Sequence, residues 1–294
     1  MLGDVMFVIS GATGRTSAAA ASGLLEAGHD VRVLVRTDDS ARLWTDRGAE
    51  AVIADFTDGP AMKTAMKGAS GAYLMTPPLA SAEDLLAERV PIETNMIEAV
   101  LAADLRHVVI LSAFAAHLSA GTGQIVGLHR MEDRFANAGI SFTSLRAAFF
   151  MENWAPVLAK AVTDGVLPSF VHPLDRKIEQ VSTADIGRAA MRALTNPISG
   201  QRYVSVAGPE AISASDVALA IAGTIERAVN PVALAPDSWD AIWAGLDWSE
   251  DRRRLYAEFF ASINDGTAAF APADELWRGK DSIADVASRM LNAG

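Results

Sequence analysis

The sequence predicts a doubly wound α/β fold: a parallel sheet flanked by helices, with a smaller, mainly helical C-terminal domain. Three observations carry that prediction. Short β-branched runs alternate with longer helical patterns through the first half of the 294 residues. The runs are almost continuously apolar, as strands buried on both faces must be. A glycine-rich turn, GATGRTS at 11–17, stands between the first run and the first helical pattern. That is the order of a unit that cradles phosphate.

The strands read Val5–Ser10, Val31–Val35, Ala51–Ala54, Gly71–Met75, His107–Ser112 and Ser141–Leu145, with helices such as Ser17–Ala27, Pro60–Lys67 and Ala82–Ala103 between them. After Leu145 the rhythm changes. RAAFFMENWAPVLAKAV reads as a loop feeding a helix, and GVLPSFVHPLD, with two prolines, as a loop. KIEQV and RYVSVAG read as two further strands of the main sheet. Thr183–Leu194 is the helix between them, begun by Ser182 with Asp185 three residues on. From Ser213 the pattern is mostly helical, with a short strand at Pro231–Leu234. The division expected is a nucleotide-binding domain over 1–152, extended by 176–207, and a substrate domain from 153–175 and 208–294.

Composition removes several function classes. The net charge of −11 repels phosphate backbones, so nucleic acid is not expected as a direct partner. With no cysteine there is no disulfide, thiolate nucleophile or cysteine-ligated metal. His29, His107, His117 and His172 show no metal-ligand spacing, and no metal is expected. The absence of cysteine fits a cytoplasmic protein, and no apolar stretch approaches the ~20 residues that cross a bilayer, so a soluble protein without a membrane partner is expected. Nothing in the pattern sets an oligomeric state.

A pyrophosphate needs backbone N–H groups aimed at it and no side chain in the way, and a glycine turn entering a helix supplies both. Gly11 and Gly14 give the spacing, so Gly11, Ala12, Thr13, Gly14, Arg15 and Thr16 are the expected contacts. Ser17 stands where a third glycine would serve close helix packing. The alternative is a glycine turn with no ligand. At the end of the second strand Arg36 suits the 2′-phosphate of NADP, and Arg15 is placed to approach the same phosphate. NADP(H) is therefore preferred, with NAD(H) open because Asp38 or Asp39 can face a ribose hydroxyl. Asp55 is expected at the adenine amino group with Phe56 against the ring; the alternative for Asp55 is a helix N-cap.

GATGRTS, VLVR, ADFTD, AYLMTPP, RHVVILSA, GISFTSLRAAFFMEN, VSTADIGRAAMRALT and VAGPEAISASDVA, in that order along nearly the whole chain, resemble the NmrA-like branch of the atypical short-chain dehydrogenase/reductases. That branch includes NADPH quinone oxidoreductases, triphenylmethane reductases and agroclavine dehydrogenases, and also NAD(P)-binding regulators without known chemistry. The resemblance implies a cleft between the two domains, with Met75, Thr76 and Pro77 lining the cofactor and Asn153 near the nicotinamide.

The superfamily's Tyr-x-x-x-Lys pair falls on Gln124 and Leu128, neither of which can do its work. His129 matches a histidine common in the branch and is a candidate proton donor; its alternative is a partly buried polar residue. Ser112 matches the superfamily's active-site serine, with a backbone-satisfied strand-end hydroxyl as alternative. Phe149, Phe150, Met151 and Trp154 follow a strand's carboxyl end and are the candidate substrate pocket, whereas Trp239 and Trp243 at i and i+4 read as core. The function expected is hydride transfer from NADPH to an electron-poor aromatic or conjugated small molecule (quinone, dye or imine) that needs no strong acid. The alternative is a non-catalytic NAD(P) redox sensor.

Overall fold

The computed structural model describes residues 5–79 and 81–292. The first half supplies β1 (Met6–Ile9), α1 (Arg15–Glu26), β2 (Asp30–Val35), α2 (Asp38–Thr45), β3 (Glu50–Ile53), α3 (Gly59–Met66), β4 (Gly71–Leu74), α4 (Leu85–Ala102), β5 (Val108–Ala113), α5 (Ile125–Asn137) and β6 (Phe142–Ala147). Then come β7 (Phe149–Phe150), a 3-10 turn at Met151–Trp154, α6 (Ala155–Asp164), β8 (Val166–Ser169), β9 (Ile178–Val181), α7 (Thr183–Thr195), β10 (Gln201–Ala207) and β11 (Ala211–Ile212). The chain continues through α8 (Ala214–Ile225), β12 (Asn230–Ala233), α9 (Pro236–Ala244), α10 (Glu250–Asp265), β13 (Glu275–Arg278) and α11 (Ile283–Asn292).

Eight strands form one parallel sheet in the order β13-β10-β6-β5-β4-β1-β2-β3. The order reverses between β1 and β4, and the crevice at such a switch point is where open α/β sheets bind ligands. Alternate residues of each strand feed opposite cores. Phe7, Ile9, Val33 and Val109 pack under α1 and α7, while Val8, Leu34, Ile110 and Phe142 pack under α3, α4 and α5. A third core holds the C-terminal lobe together, built on Phe149, Trp154, Trp239, Trp243, Phe259 and Phe260.

Three expectations about strands are corrected. KIEQV does form β9, but it pairs with β7 and β11 in a separate three-stranded sheet; only RYVSVAG joins the main sheet, as β10. The GVLPSFV stretch is not a loop: β8 runs parallel to β12, with Pro168 opposite Val232. The C-terminal tail is not confined to a helical lobe either, because β13 adds the last strand to the main sheet beside β10.

Side chains cap most helix starts. Thr37, Asp58, Asp84, Ser182, Ser213 and Ser249 each accept a backbone N–H of the first turn, a contact worth about 1 kcal/mol. The Asp38 and Asp39 carboxyls are therefore in the first turn of α2, where they meet the helix dipole. α1 is different: its N-cap is Gly14, and no side chain caps it.

Candidate active site

The uncapped start of α1 lies at the switch point. Gly11 sits at φ 62°, in the left-handed region that favours glycine, and Gly14 N–H donates to its carbonyl at 2.8 Å. A Cβ on Gly11 would stand 3.0 Å from Met75 Sδ and 3.9 Å from Phe56 Cζ; one on Gly14 would press on the Gly11 carbonyl at 3.2 Å. The loop is closed from below by Ser10, whose hydroxyl accepts Met75 N–H at 3.1 Å. So Gly11, Ala12, Thr13 and Gly14 leave an open turn above, ending at the free first-turn amides of Arg15 and Thr16. This is the arrangement an anion needs.

Ser17 is fully buried, and its hydroxyl finds no partner. The close helix approach that a third glycine would serve is made elsewhere. A Cβ on Gly187 of α7 would fall 2.4 Å from Ala19 Cβ and 2.8 Å from Ala20 N. Gly187 and the alanine run of α1 thus provide the contact that GATGRTS itself does not.

Arg36 is exposed at the end of β2 and acts electrostatically on Asp55. Asp55 caps no helix: that part falls to Asp58. Its carboxylate accepts the Thr57 hydroxyl at 2.5 Å and the Thr57 N–H at 2.8 Å. Those bonds, with Arg36 adding to them, hold its carboxyl below the usual range. Phe56 is buried under the loop, its carbonyl tied to Asn95.

Arg15 lines a cleft of 640 Å³ with Glu152, Leu158, Val162, Met290 and Arg289. Glu152 accepts the Thr183 N–H at the start of α7, which packs against β4, β5 and β6. Thr76 and Pro77 are half-buried beyond β4, and Asn153 is exposed on the 3-10 turn.

The candidate catalytic groups have other duties. Ser112 donates its hydroxyl proton to Glu132 Oε1 at 2.7 Å, not to backbone. The same carboxylate accepts Ser144 at 2.6 Å and Arg146 at 2.6 and 3.1 Å, while Arg146 also reaches Asp274 at 3.0 Å. Glu132 is 2% exposed, so this is an ion network inside the protein. His129 has an acidic neighbour that sequence reasoning did not find: Nε2 lies 3.3 Å from Asp133, while Nδ1 contacts the Ala116 carbonyl at 2.9 Å. Nδ1 thus ties α5 to the loop after β5, while Nε2 faces a carboxylate one turn along the same helix. His117, on that loop, is pushed down by burial, and its Nδ1 has no partner.

The expected aromatic pocket is mostly core, a further correction. Met151 is 1% exposed, Trp154 donates its ring N–H to Gln180 at 3.0 Å, and Phe149 stacks on Phe259. Only Phe150 is half-open. Packing has closed the space these side chains were expected to line. Trp239 and Trp243 are core as well.

A parallel sheet with an uncapped glycine loop at its switch point defines a Rossmann protein of the dinucleotide-binding type. The chain belongs to the NmrA-like family, whose model matches residues 4–282. It is 25% identical to the NAD(P)H azoreductase of Xenophilus azovorans, over 97% of this chain and 93% of that one. It is 26% identical to quinone oxidoreductase 2 of Escherichia coli over 72% of each. Among solved structures, the E. coli NADPH-dependent quinone oxidoreductase in complex with NADPH superposes with a TM-score of 0.81 at 21% identity, covering 98% of this chain and 100% of that one. The Citrobacter sp. triphenylmethane reductase gives 0.82 at 16% identity, over 98% and 99%. Among the described residues no helix is long and apolar enough to cross a membrane.

Proposed function

We propose that the protein is an NADPH-dependent reductase of electron-poor aromatic molecules of the quinone or dye type. The observation that carries this reading is the open first turn of α1 behind Gly11 and Gly14, built where a dinucleotide's pyrophosphate belongs. The names of its relatives, an azoreductase and a quinone oxidoreductase, support the class of acceptor.

The residues fit the cofactor. Gly11, Ala12, Thr13 and Gly14 with the amides of Arg15 and Thr16 hold the pyrophosphate, and Arg36 takes the 2′-phosphate. Asp55 and Phe56 stand on the adenine side, and Met75, Thr76, Pro77 and Asn153 on the nicotinamide side. When bound, the reduced cofactor supplies a hydride. The protein's part is to orient the acceptor and exclude water. Ser112 acts through Glu132 by fixing the ends of β5 and β6, and His129 fixes the loop that follows β5.

Titration with NADPH and NADH, followed by nicotinamide fluorescence, tests the reading, with acceptor-dependent NADPH oxidation as the second step. Binding of NADPH and its oxidation by a quinone or dye is the expected result. Absence of binding by either cofactor would refute it.

A further inference from the structure

Gln124 and Leu128 leave α5 without the tyrosine and lysine of its superfamily, yet a cation reaches the same turn from another helix. Arg89 of α4 is 6% exposed, and its Nη1 lies 3.4 Å from the Gln124 carbonyl. A Cβ on Gly127 would stand 3.3 Å from that nitrogen, so glycine there makes room for the guanidinium. Among the described residues Arg89 Nε has no partner. Glu93, one turn on, is committed to Arg130 at 2.7 Å and Arg134 at 2.8 Å. Among the described residues no carboxylate lies within ion-pair distance of Arg89. A buried guanidinium with an unused donor is costly, and such groups concentrate where a ligand or a reacting group completes them.

What faces it comes from α10. Leu255 packs on Ala82 and Leu85, Asp251 accepts the Leu85 N–H at 3.0 Å, and Gly123 admits the Leu255 carbonyl so closely that any Cβ would collide with it. α10 is thereby fixed across the starts of α4 and α5. Tyr256, next on α10 after the Leu255 that meets Gly123 and Leu85, is half-buried, and a negative charge on its phenol would favour the charged form of Arg89. Arg252 lies over the Trp248 ring at 4.0 Å and over Tyr256 at 5.5 Å. One turn along, Phe259 leans on Phe114 after β5 and on Phe149 after β6, which places this face of α10 at the carboxyl edge of the sheet. The chain has two other tyrosines. Tyr73 is wholly buried under the glycine loop, and Tyr203 lies beneath Arg146 on the sheet.

We propose that Tyr256 is the proton donor of this reductase and Arg89 its positioning partner, a pair delivered from α10 and α4 to the place where α5 has none. The inference rests on the reductase reading above. A quinone reduced by two electrons takes up a hydride and a proton. The hydride is the cofactor's. The proton leaves Tyr256 Oη for the quinone oxygen that gains charge: the phenol O–H bond breaks, the product O–H bond forms, and the phenolate beside Arg89 recovers a proton from water. A triphenylmethane cation takes up hydride alone and becomes neutral, so it has no use for Tyr256.

That difference is the test. Tyr256→Phe, Arg89→Met and Arg89→Lys are assayed with menadione and with malachite green, in the full-length protein with NADPH. Tyr256→Phe should lower kcat for menadione about a hundredfold, the low end for a positioned acid, and leave kcat for malachite green and KM for NADPH within about twofold. Arg89→Met should do the same, and Arg89→Lys should restore most of the menadione rate. In the cofactor-free protein, hydroquinone binding, read by quenching of the neighbouring Trp243 and Trp248, should weaken about tenfold in Tyr256→Phe. Equal losses on both acceptors, no loss on either, or unchanged hydroquinone binding would overturn the assignment. If the wild type reduced neither acceptor, the reductase reading would fall by itself and the binding measurement would still decide the site.

Discussion

Replacing Arg36 by alanine should weaken NADPH by about ten- to thirtyfold and leave NADH within about twofold. Arg36 is exposed, so water-like screening applies: a unit charge pair at about 4 Å is worth ~1 kcal/mol, and a phosphate carrying nearly two charges about twice that. A charge-assisted hydrogen bond to the phosphate falls in the same range, ~1.5–3 kcal/mol. Asp55 shares the field of Arg36 and trims the gain, as does salt. About 1.5–2 kcal/mol remains, which converts to the stated factor. The assay is nicotinamide fluorescence with both cofactors at low and high ionic strength. The NADPH deficit of the variant should shrink as salt rises, because the lost interaction is Coulombic. Equal weakening of NADPH and NADH would show that Arg36 supports the loop rather than reading the phosphate. No change in either would remove it from the site.

Three further predictions concern the scaffold. Glu132→Leu leaves Arg146 half-paired inside the protein and strands the Ser112 and Ser144 hydroxyls; it should cost about 3–5 kcal/mol in urea unfolding. Gly187→Ala forces a Cβ into the α1–α7 contact at 2.4 Å and should destabilise by about 1–3 kcal/mol, with a matching fall in Tm. His107 is pushed down to about 4 by burial, with the Arg202 charge adding to the effect. Its folded form resists the proton that the unfolded chain accepts near 6.5. Stability should therefore fall as pH drops from about 6.5 to 4, by up to about 3 kcal/mol, and His107→Gln should flatten that slope in unfolding curves taken across the window.

The parallel core was legible because its strands are apolar on both faces and its helices are not: Phe7 to Ile9 or Val108 to Ile110 can only sit between layers. The loop was legible from its glycine spacing together with its place between a strand and a helix. What escaped depended on partners distant in sequence. β8 contains Pro168, and it becomes a strand only because β12 runs parallel beside it, with Asn230 N–H donating to the Gly165 carbonyl and Leu234 N–H to the Ser169 carbonyl. β13 is four residues, with Leu276 half exposed, and joins the sheet only because β10 leaves an edge free. Ser112 was visible as a strand-end hydroxyl, but its acceptor is 20 residues away on a helix. The Phe149–Trp154 stretch looked like a pocket because it follows a strand, and it is core because α10 returns more than a hundred residues later to fill it.

The face of α5 that looks onto the sheet explains why the catalytic pair is missing and where its work has gone. Gln124, Leu128 and Glu132 recur every four residues, so they line one side of the helix. By the resemblance of the sequence, the first two positions match those of the superfamily's proton-transfer pair. Here the charged group on that side is Glu132, one turn deeper, and it is spent on strands: it gathers Ser112, Ser144 and Arg146 and, through Arg146, Asp274 near β13. Leu128, half-buried between two cores, is hydrophobic packing where a lysine would stand. A carboxylate that deep in the fold is stable only while its partners neutralise it. With that face given over to holding the sheet together, chemistry at its carboxyl edge has to be supplied from above. α4 and α10 are the elements that arrive there, Arg89 with a donor unused and Tyr256 with its phenol half-buried.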